Sequence, residues 1–156
     1  MEILLQWGYL GLFIGSFLAA TILPLSSEIF VTGLLYAGAN PFFVFLIATL
    51  GNWTGSLTTY SLGWLGKWKW IEKYFKVTPE KLERQQTKIS KFGSLLALFV
   101  WFPAIGDIIA LALGFYKINP YKCVVFMLIG KASRFAVYIL LYLYASEKFG
   151  FGLMEI

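Results

Sequence analysis

The chain has 156 residues, of which 59% are hydrophobic, 19% are aromatic and only 13% carry a charge. A soluble domain usually carries about 25% charged residues, so this composition argues against a soluble all-helical domain and favours a small integral membrane protein. The absence of histidine excludes Ser-His and Cys-His catalysis and histidine-ligated metals, and the single cysteine, Cys123, excludes an internal disulfide. We therefore expect neither an enzyme nor a protein that holds a metal or a cofactor.

The first 66 residues form two uncharged runs, 3–27 and 29–66, each longer than the roughly 20 apolar residues that a membrane helix needs. Pro24 interrupts the first run, and Glu28 separates the two runs. A helix breaker and a carboxylate are costly in lipid, because freed backbone groups and charges both need partners there. This stretch therefore indicates a broken segment that is buried in protein or faces a water-filled cavity, rather than a plain membrane helix.

Residues 67–91 hold the excess of positive charge, with eight basic and three acidic residues. Short loops rich in lysine and arginine stay on the cytoplasmic side of a membrane, so we expect this connector to be cytoplasmic. A nucleic-acid patch is the alternative, but topology alone explains the charge, and we expect no nucleic-acid partner. Thr78, Pro79 and Glu80 are typical of a helix start and predict an amphipathic helix on the membrane surface.

Residues that interrupt the apolar runs recur at an offset of 79 residues. The matched pairs are Pro24 with Pro103, Glu28 with Asp107, Asn40-Pro41 with Asn119-Pro120, and Gly51 with Gly130. We interpret this as an internal duplication within one membrane domain, with repeat unit one over 1–66 and repeat unit two over 79–146. The expected parts of each unit are an entry segment (1–11, 79–91), a broken apolar stretch (12–38, 92–117) and a long apolar helix (42–65, 120–146).

The lengths of the broken stretches favour hairpins that enter the membrane and return. The arms 93–102 and 108–116 reach about 15 and 14 Å as helices, roughly half of a 30 Å hydrocarbon core. A kinked single crossing is the alternative, but it would carry Lys117 and Lys122 outside, against the positive-inside rule. The predicted fold is an all-α integral membrane protein, an inverted repeat of two re-entrant helical hairpins, each followed by a transmembrane helix. The two matched prolines mark the hairpin tips, and the basic connector joins the units.

Four charged residues are predicted near the middle of the membrane: Glu28, Asp107, Lys131 and Arg134. The two bases are three residues apart and share a helix face. Two acids and two bases can neutralise one another, whereas each alone would cost roughly several kcal/mol in hydrocarbon. Asn52, the repeat equivalent of Lys131, adds an amide at the same depth. These residues predict a pathway for a substrate or a proton, and a cluster that only locks the helices together is the alternative.

The stretch GNWTGSLTTYSLGWLG (51–66) places small residues along one helix. Its glycines are Gly51, Gly55, Gly63 and Gly66. Close helix packing explains them better than direct contact with a ligand. Hydrogen bonds to other helices are predicted for Thr58, Thr59 and Tyr60.

These residues resemble the DedA family, also called the VTT or SNARE-associated Golgi protein domain, and in particular its short YqaA-like branch. The resemblance rests on ATILPLSSE (20–28), GNWTGSLTTYSLG (51–63), WFPAIGD (101–107) and GKASRF (130–135). It implies a fold with two re-entrant hairpins that enter from opposite faces. It also implies movement of lipids between leaflets, either of the polyprenyl phosphate carrier of envelope synthesis or of phospholipids, and in several members dependence on the proton gradient.

By position, the resemblance implies that Glu28 is the acid of the first hairpin. It further matches Gly51, Gly55, Tyr60 and Gly63 to the glycine-tyrosine helix of the family. The sequence departs from the family at Ser56, where many members have an acid, and at Val100 and Gly106, where many have arginine. Our inference is that Lys131 and Arg134 supply the missing positive charge.

From these observations we expect a lipid transporter, a flippase or scramblase, that moves an anionic phospholipid or a polyprenyl phosphate between leaflets. Coupling to protons is left open. A proton-coupled carrier of a small ion or solute, and a non-transporting membrane scaffold, are the alternatives. We expect a multi-pass protein of the inner membrane whose partners are membrane lipids, and the small size of the chain favours a homodimer.

Overall fold

The computed structural model describes residues 2–21, 26–66, 93–102 and 105–150, together with Lys69, Lys73 and Glu80. Within these ranges the chain is helical and contains no strand, so the predicted all-α class is confirmed. The elements are α1 (Glu2–Ala19), α2 (Ser27–Tyr36), α3 (Pro41–Trp64), a 3₁₀ helix (Gly93–Trp101), α4 (Ile105–Phe115) and α5 (Pro120–Phe149). The predicted hairpin tips, Pro24 and Pro103, and the predicted surface helix of the connector, apart from Glu80, lie outside the described residues.

The two long helices begin in the same way. Asn40 precedes α3 and accepts a hydrogen bond from the backbone N–H of Phe42 at 2.9 Å. Asn119 precedes α5 and accepts from the N–H of Tyr121 at 3.1 Å. A proline follows each asparagine at the first helical position, where its fixed φ suits the helix and its missing N–H is no loss. This shared start explains why both helices begin within one residue of their predicted positions.

One helix among the described residues, α5, is both long and apolar enough to cross a membrane. It has 30 residues and extends over about 45 Å, and an 18-residue stretch within it has a mean hydropathy of 1.8. Helix α3 has 24 residues, or about 36 Å, but asparagine, serine and threonine lower its hydropathy. Asn52, Ser56 and Thr59 of α3 are buried inside the protein, so these three polar side chains are covered by other parts of the chain.

Two expectations for the shorter elements are wrong. Residues 1–11 are not a separate entry segment, because α1 continues to Ala19 and neither a proline nor a charge interrupts it after Glu2. The arm 93–102 is a 3₁₀ helix rather than an α-helix. Its nine residues therefore reach about 18 Å, since a 3₁₀ helix rises about 2.0 Å per residue.

Two apolar clusters hold these helices together, and α3 and α5 contribute to both. One cluster joins Tyr60 and Met127 to buried residues of the 3₁₀ helix and α4. The other joins Val44 and Phe135 to buried residues of α1 and α2. The long helices α3 and α5 therefore connect the two clusters. The 3₁₀ helix and α4 pack in the first cluster, and α1 and α2 pack in the second.

Glycines bring several backbones into contact. A Cβ atom on Gly51 would lie 2.6 Å from the carbonyl oxygen of Phe13, and one on Gly55 would lie 2.5 Å from that of Phe17. Gly63 lies even more tightly against the carbonyl of Leu111 in α4. Such close approach is possible only without a side chain.

Other residues of the 51–66 stretch either end helix α3 or form hydrogen bonds. Gly66 differs from the other glycines, because it ends α3 with a φ of 63° and has open space around it. Thr59 donates to the carbonyl of Ala20 at 3.0 Å, and the hydroxyl of Tyr60 donates to that of Ile118 at 2.6 Å. Thr58 instead bonds within its own helix, to the carbonyl of Thr54.

Candidate functional site

An ion pair between Glu28 and Arg134 joins α2 to the middle of α5. Glu28 lies in the first turn of α2, where the helix dipole favours an anion. Ser26 occupies the N-cap position, but its hydroxyl donates to the second carboxylate oxygen of Glu28 at 2.6 Å instead of capping the backbone. The Arg134 and Glu28 side chains are 16% and 22% exposed, so the pair is mostly buried but still accessible from the surface.

The guanidinium of Arg134 has a second partner. Its Nη1 donates to the carbonyl oxygen of Trp101 at 3.2 Å, at the end of the 3₁₀ helix. Arg134 therefore connects the first residues of α2 with the last residues of the 3₁₀ helix. These are the chain segments that flank the two predicted hairpin tips.

The second acid and the second base lie close enough for their charges to interact. Asp107 lies in the first turn of α4, and Lys131 on α5 is only 2% exposed. The two charges attract each other. In the described part of the chain, however, the direct ion pair is that between Glu28 and Arg134. The four charged residues singled out in the sequence thus form one contact pair and one pair that interacts through space.

Asn52 has a different role from the charged residues. Its amide nitrogen donates to the carbonyl of Ser16 at 3.0 Å, which ties α3 to α1. Its amide oxygen is buried and has no hydrogen-bond partner among the described residues, and the same holds for the hydroxyls of Ser16, Thr49 and Ser56. This polar seam between α1 and α3 leaves several buried oxygen atoms available to water or to a small solute.

Two cavities meet at Glu28, the acid of the ion pair, and we call them together the lateral groove. The first, of about 470 Å³, lies between α5 and the 3₁₀ helix and is lined by Glu28, Arg134 and Trp101 among others. The second, of about 610 Å³, lies between α2 and α5. Glu28 and Tyr138 line both cavities.

Apolar side chains at the surface form most of the rim of the first cavity. Trp101 is 38% exposed, Val137 57% and Leu141 62%. The groove is therefore accessible from the side of the molecule, and its polar groups lie at its floor. The groove therefore combines an apolar rim with the charged pair of Glu28 and Arg134.

Two residues of the groove were missed in the sequence. The hydroxyls of Thr32 and Tyr138 form a hydrogen bond of 2.7 Å across the second cavity. Thr32 lies four residues after Glu28, and Tyr138 lies four residues after Arg134, so each is one helical turn further along the same face. That spacing was the available signal, but it identifies a pair only once α2 and α5 are known to lie side by side.

Comparison with known proteins agrees with the membrane assignment. No family model and no solved structure matches the chain. The inner membrane protein YqaA of Escherichia coli is 33% identical over 130 residues, which cover 80% of this chain and 84% of that protein. An uncharacterized protein of Haemophilus influenzae is 30% identical over 138 residues, which cover 83% of this chain and 84% of the relative. With its helical fold and its charged groove, the chain belongs to the YqaA-like branch of the DedA family, and it is an inner membrane protein.

Proposed function

We propose that this protein moves an anionic lipid, either a phospholipid or a polyprenyl phosphate, between the leaflets of the inner membrane. The observation that supports this best is the Glu28–Arg134 ion pair at the floor of a groove that is open along its side. A phosphate headgroup follows the floor of the groove while its acyl or prenyl chains stay in the surrounding lipid. Arg134 is the phosphate-binding group, because a guanidinium can bind two phosphate oxygens at once.

The proposed topology is an inverted repeat of two re-entrant hairpins. Helices α2 and α4 have 10 and 11 residues, or about 15 and 17 Å, and each is half the length needed to cross the hydrocarbon. In this arrangement α2 and α4 are the returning arms, α3 and α5 cross the membrane, and the connector is cytoplasmic. The end of α2 at Tyr36 then lies at the outer face, and the start of α5 at Pro120 lies at the cytoplasmic face. Broken helices that meet at the midplane are where transporters of this class bind their substrate.

An exchange of partners drives the proposed cycle. At rest, Glu28 neutralises Arg134, so neither charge is left alone in the membrane. When a lipid phosphate takes over Arg134, Glu28 loses its counter-charge and takes up a proton. Loading one anionic headgroup is thereby linked to binding one proton, and release of the lipid returns the proton.

A proton-coupled carrier of a small solute is the second candidate. The polar seam between α1 and α3 favours it, because Ser16, Asn52 and Ser56 contribute buried oxygens without hydrogen-bond partners among the described residues. A carrier binds its solute in an enclosed polar space, whereas the lateral groove is lined at its surface by exposed apolar side chains. The open side of the groove is our reason for preferring a lipid.

Reconstituted vesicles of phosphatidylethanolamine and phosphatidylglycerol test the proposal. Purified protein should speed the exchange between leaflets of a fluorescent phosphatidylglycerol whose label is carried on an acyl chain. Arg134→Ala should lose most of that activity, whereas Lys148→Ala, a change to an exposed base in the last turn of α5, should keep it. Equal transport by the wild type and Arg134→Ala would refute the assignment of the site. Uptake of radiolabelled inorganic phosphate with no lipid exchange would favour the carrier.

A further inference from the structure

A ladder of polar side chains extends from the ion pair along the seam between α2 and α5. On α2, Glu28, Thr32 and Tyr36 follow at intervals of four residues, and on α5 so do Arg134, Tyr138 and Tyr142. The first rung is the ion pair, and the second is the 2.7 Å hydrogen bond between Thr32 and Tyr138. Tyr36 and Tyr142 line the cavity that this second rung also lines. Polar groups thus recur once per helical turn, about every 5.4 Å, from the charged floor to the end of α2.

The corresponding seam in the other repeat unit is closed. Shifted by 79 residues, Tyr142 corresponds to Gly63 on α3 and Thr32 corresponds to Leu111 on α4. Gly63 packs directly against the backbone of Leu111, and Gly114 of α4 packs against that of Tyr60. Glycine lets α3 and α4 touch, whereas tyrosine and threonine line a cavity of about 610 Å³ between α2 and α5. The space between α2 and α5 therefore depends on the residues at these positions, which differ between the two repeat units.

We propose that the seam between α2 and α5 is the route by which a lipid phosphate reaches Arg134, and that it serves the leaflet at the Tyr36 end. This inference rests on the proposed function and adds the route and the side. The ladder suits a phosphate headgroup, because each rung beyond the ion pair offers hydroxyl groups that can donate to phosphate oxygens. These rungs carry no charge, so they bind the anion without trapping it before it meets Arg134.

The headgroup advances by replacing internal contacts. The hydroxyls of Thr32 and Tyr138 bond to each other in the second cavity, and both turn to the phosphate as it passes. At the next turn the phosphate replaces Glu28 as the partner of Arg134. Tyr138 is thus a positioning residue on the route, and Thr32 is its partner.

Filling the groove provides the first test, in the fluorescent phosphatidylglycerol assay. Gly33 lines the second cavity and has open space around it, so Gly33→Leu adds bulk to the route without striking the backbone. Gly11→Leu is the matched control, because Gly11 is also helical, exposed and unobstructed but lies on α1. We expect Gly33→Leu to slow exchange at least about fivefold, from overpacking of the route, and Gly11→Leu to leave it unchanged. Tyr138→Phe should slow exchange about fivefold, as expected for one lost hydrogen bond.

A crosslinking experiment provides the second test and does not depend on transport. A benzophenone amino acid replaces Tyr36, and alkyne-tagged phosphatidylglycerol is the probe, with a benzophenone at Leu50, an exposed residue of α3, as control. Crosslinking at Tyr36 should fall when unlabelled phosphatidylglycerol is added, and should be insensitive to inorganic phosphate. Competition by inorganic phosphate would instead identify a soluble anion as the occupant. Crosslinking at Leu50 should follow the bulk lipid composition.

The outcomes separate the route from the function. If Arg134→Ala abolishes exchange while Gly33→Leu and Tyr138→Phe exchange lipid at the wild-type rate, the function stands and the route is wrong. If crosslinking at Tyr36 matches that at Leu50 in its response to competitor, the seam holds no headgroup and the route is again wrong. If Arg134→Ala exchanges lipid at the wild-type rate, Arg134 is not the phosphate-binding group, and the route that leads to it is wrong as well. If the wild type exchanges no lipid, the proposed function itself is wrong.

Discussion

A double-mutant cycle on Glu28 and Arg134 measures whether the ion pair is an energetic unit. Glu28→Gln preserves the shape of the side chain and removes its charge. Arg134 then keeps its bond to the carbonyl of Trp101 but loses its counter-charge, and a guanidinium does not escape by losing its proton. Arg134→Gln leaves Glu28 with the Ser26 hydroxyl as a donor, and a carboxylate can become neutral by taking up a proton.

These differences fix the expected magnitudes. With side chains only 16% and 22% exposed, the pair is close to the buried case, in which removal of one partner costs about 3 kcal/mol or more. We expect about 3 kcal/mol of lost unfolding free energy for Glu28→Gln and about 1.5 kcal/mol for Arg134→Gln. The double variant carries no stranded charge and should lose only about 2 kcal/mol, which gives a coupling energy of about 2.5 kcal/mol.

Reversible unfolding in mixed micelles, followed by tryptophan fluorescence, provides the four free energies. Lys148→Gln, a neutral change at an exposed base, is the control and should alter stability by less than about 0.5 kcal/mol. Additive effects, with a coupling energy below about 0.5 kcal/mol, would refute the view that each charge depends on the other.

Three further predictions concern packing, a buried hydrogen bond and topology. Gly51→Ala should destabilise the protein by about 2 kcal/mol in the same unfolding assay, because its Cβ would lie 2.6 Å from a carbonyl oxygen of α1, whereas Gly11→Ala, in open space, should stabilise it by up to about 1 kcal/mol. Equal effects of the two changes would contradict the packing argument. Tyr60→Phe should lower the unfolding free energy by about 1 kcal/mol through loss of its 2.6 Å hydrogen bond to a backbone carbonyl. An unchanged free energy would show that this bond does not stabilise the fold. In a variant without the native cysteine, Ala37→Cys should react with an impermeant maleimide added outside and Lys122→Cys with one added to the cytoplasmic side, both positions being exposed. Labelling of both from one side would rule out hairpins that enter from opposite faces.

The frame of the fold was predictable because its signals are local. Asn-Pro at 40–41 and at 119–120 places a side-chain cap and a proline at the start of each long helix, and both helices begin there. The glycine spacing in 51–66 likewise reflects a property of one helix face. The 3₁₀ geometry of 93–101 was not predictable, since its residues GSLLALFVW suit an α-helix equally well and only their surroundings decide.

The candidate site was predictable in its residues and only partly in its contacts. Charged side chains within apolar runs draw notice in any membrane sequence, which is how Glu28 and Arg134 were found. Which acid contacts which base depends on how α2 and α4 pack against α5, and that is tertiary information. Tyr138 and Thr32 carry no charge and look ordinary in an apolar helix, so their part in the groove emerged only with the arrangement of the helices.

Direct contact between Arg134 and a lipid phosphate is the central claim, and solid-state NMR measures it directly. The chain has two arginines, so Arg84→Lys leaves Arg134 as the single guanidinium signal in protein labelled with ¹⁵N-arginine. In phosphatidylglycerol bilayers, ¹⁵N–³¹P dipolar recoupling should detect a phosphorus atom within hydrogen-bonding range of the guanidinium, and the contact should strengthen in Glu28→Gln. A guanidinium signal with no phosphorus neighbour in either protein would contradict the account.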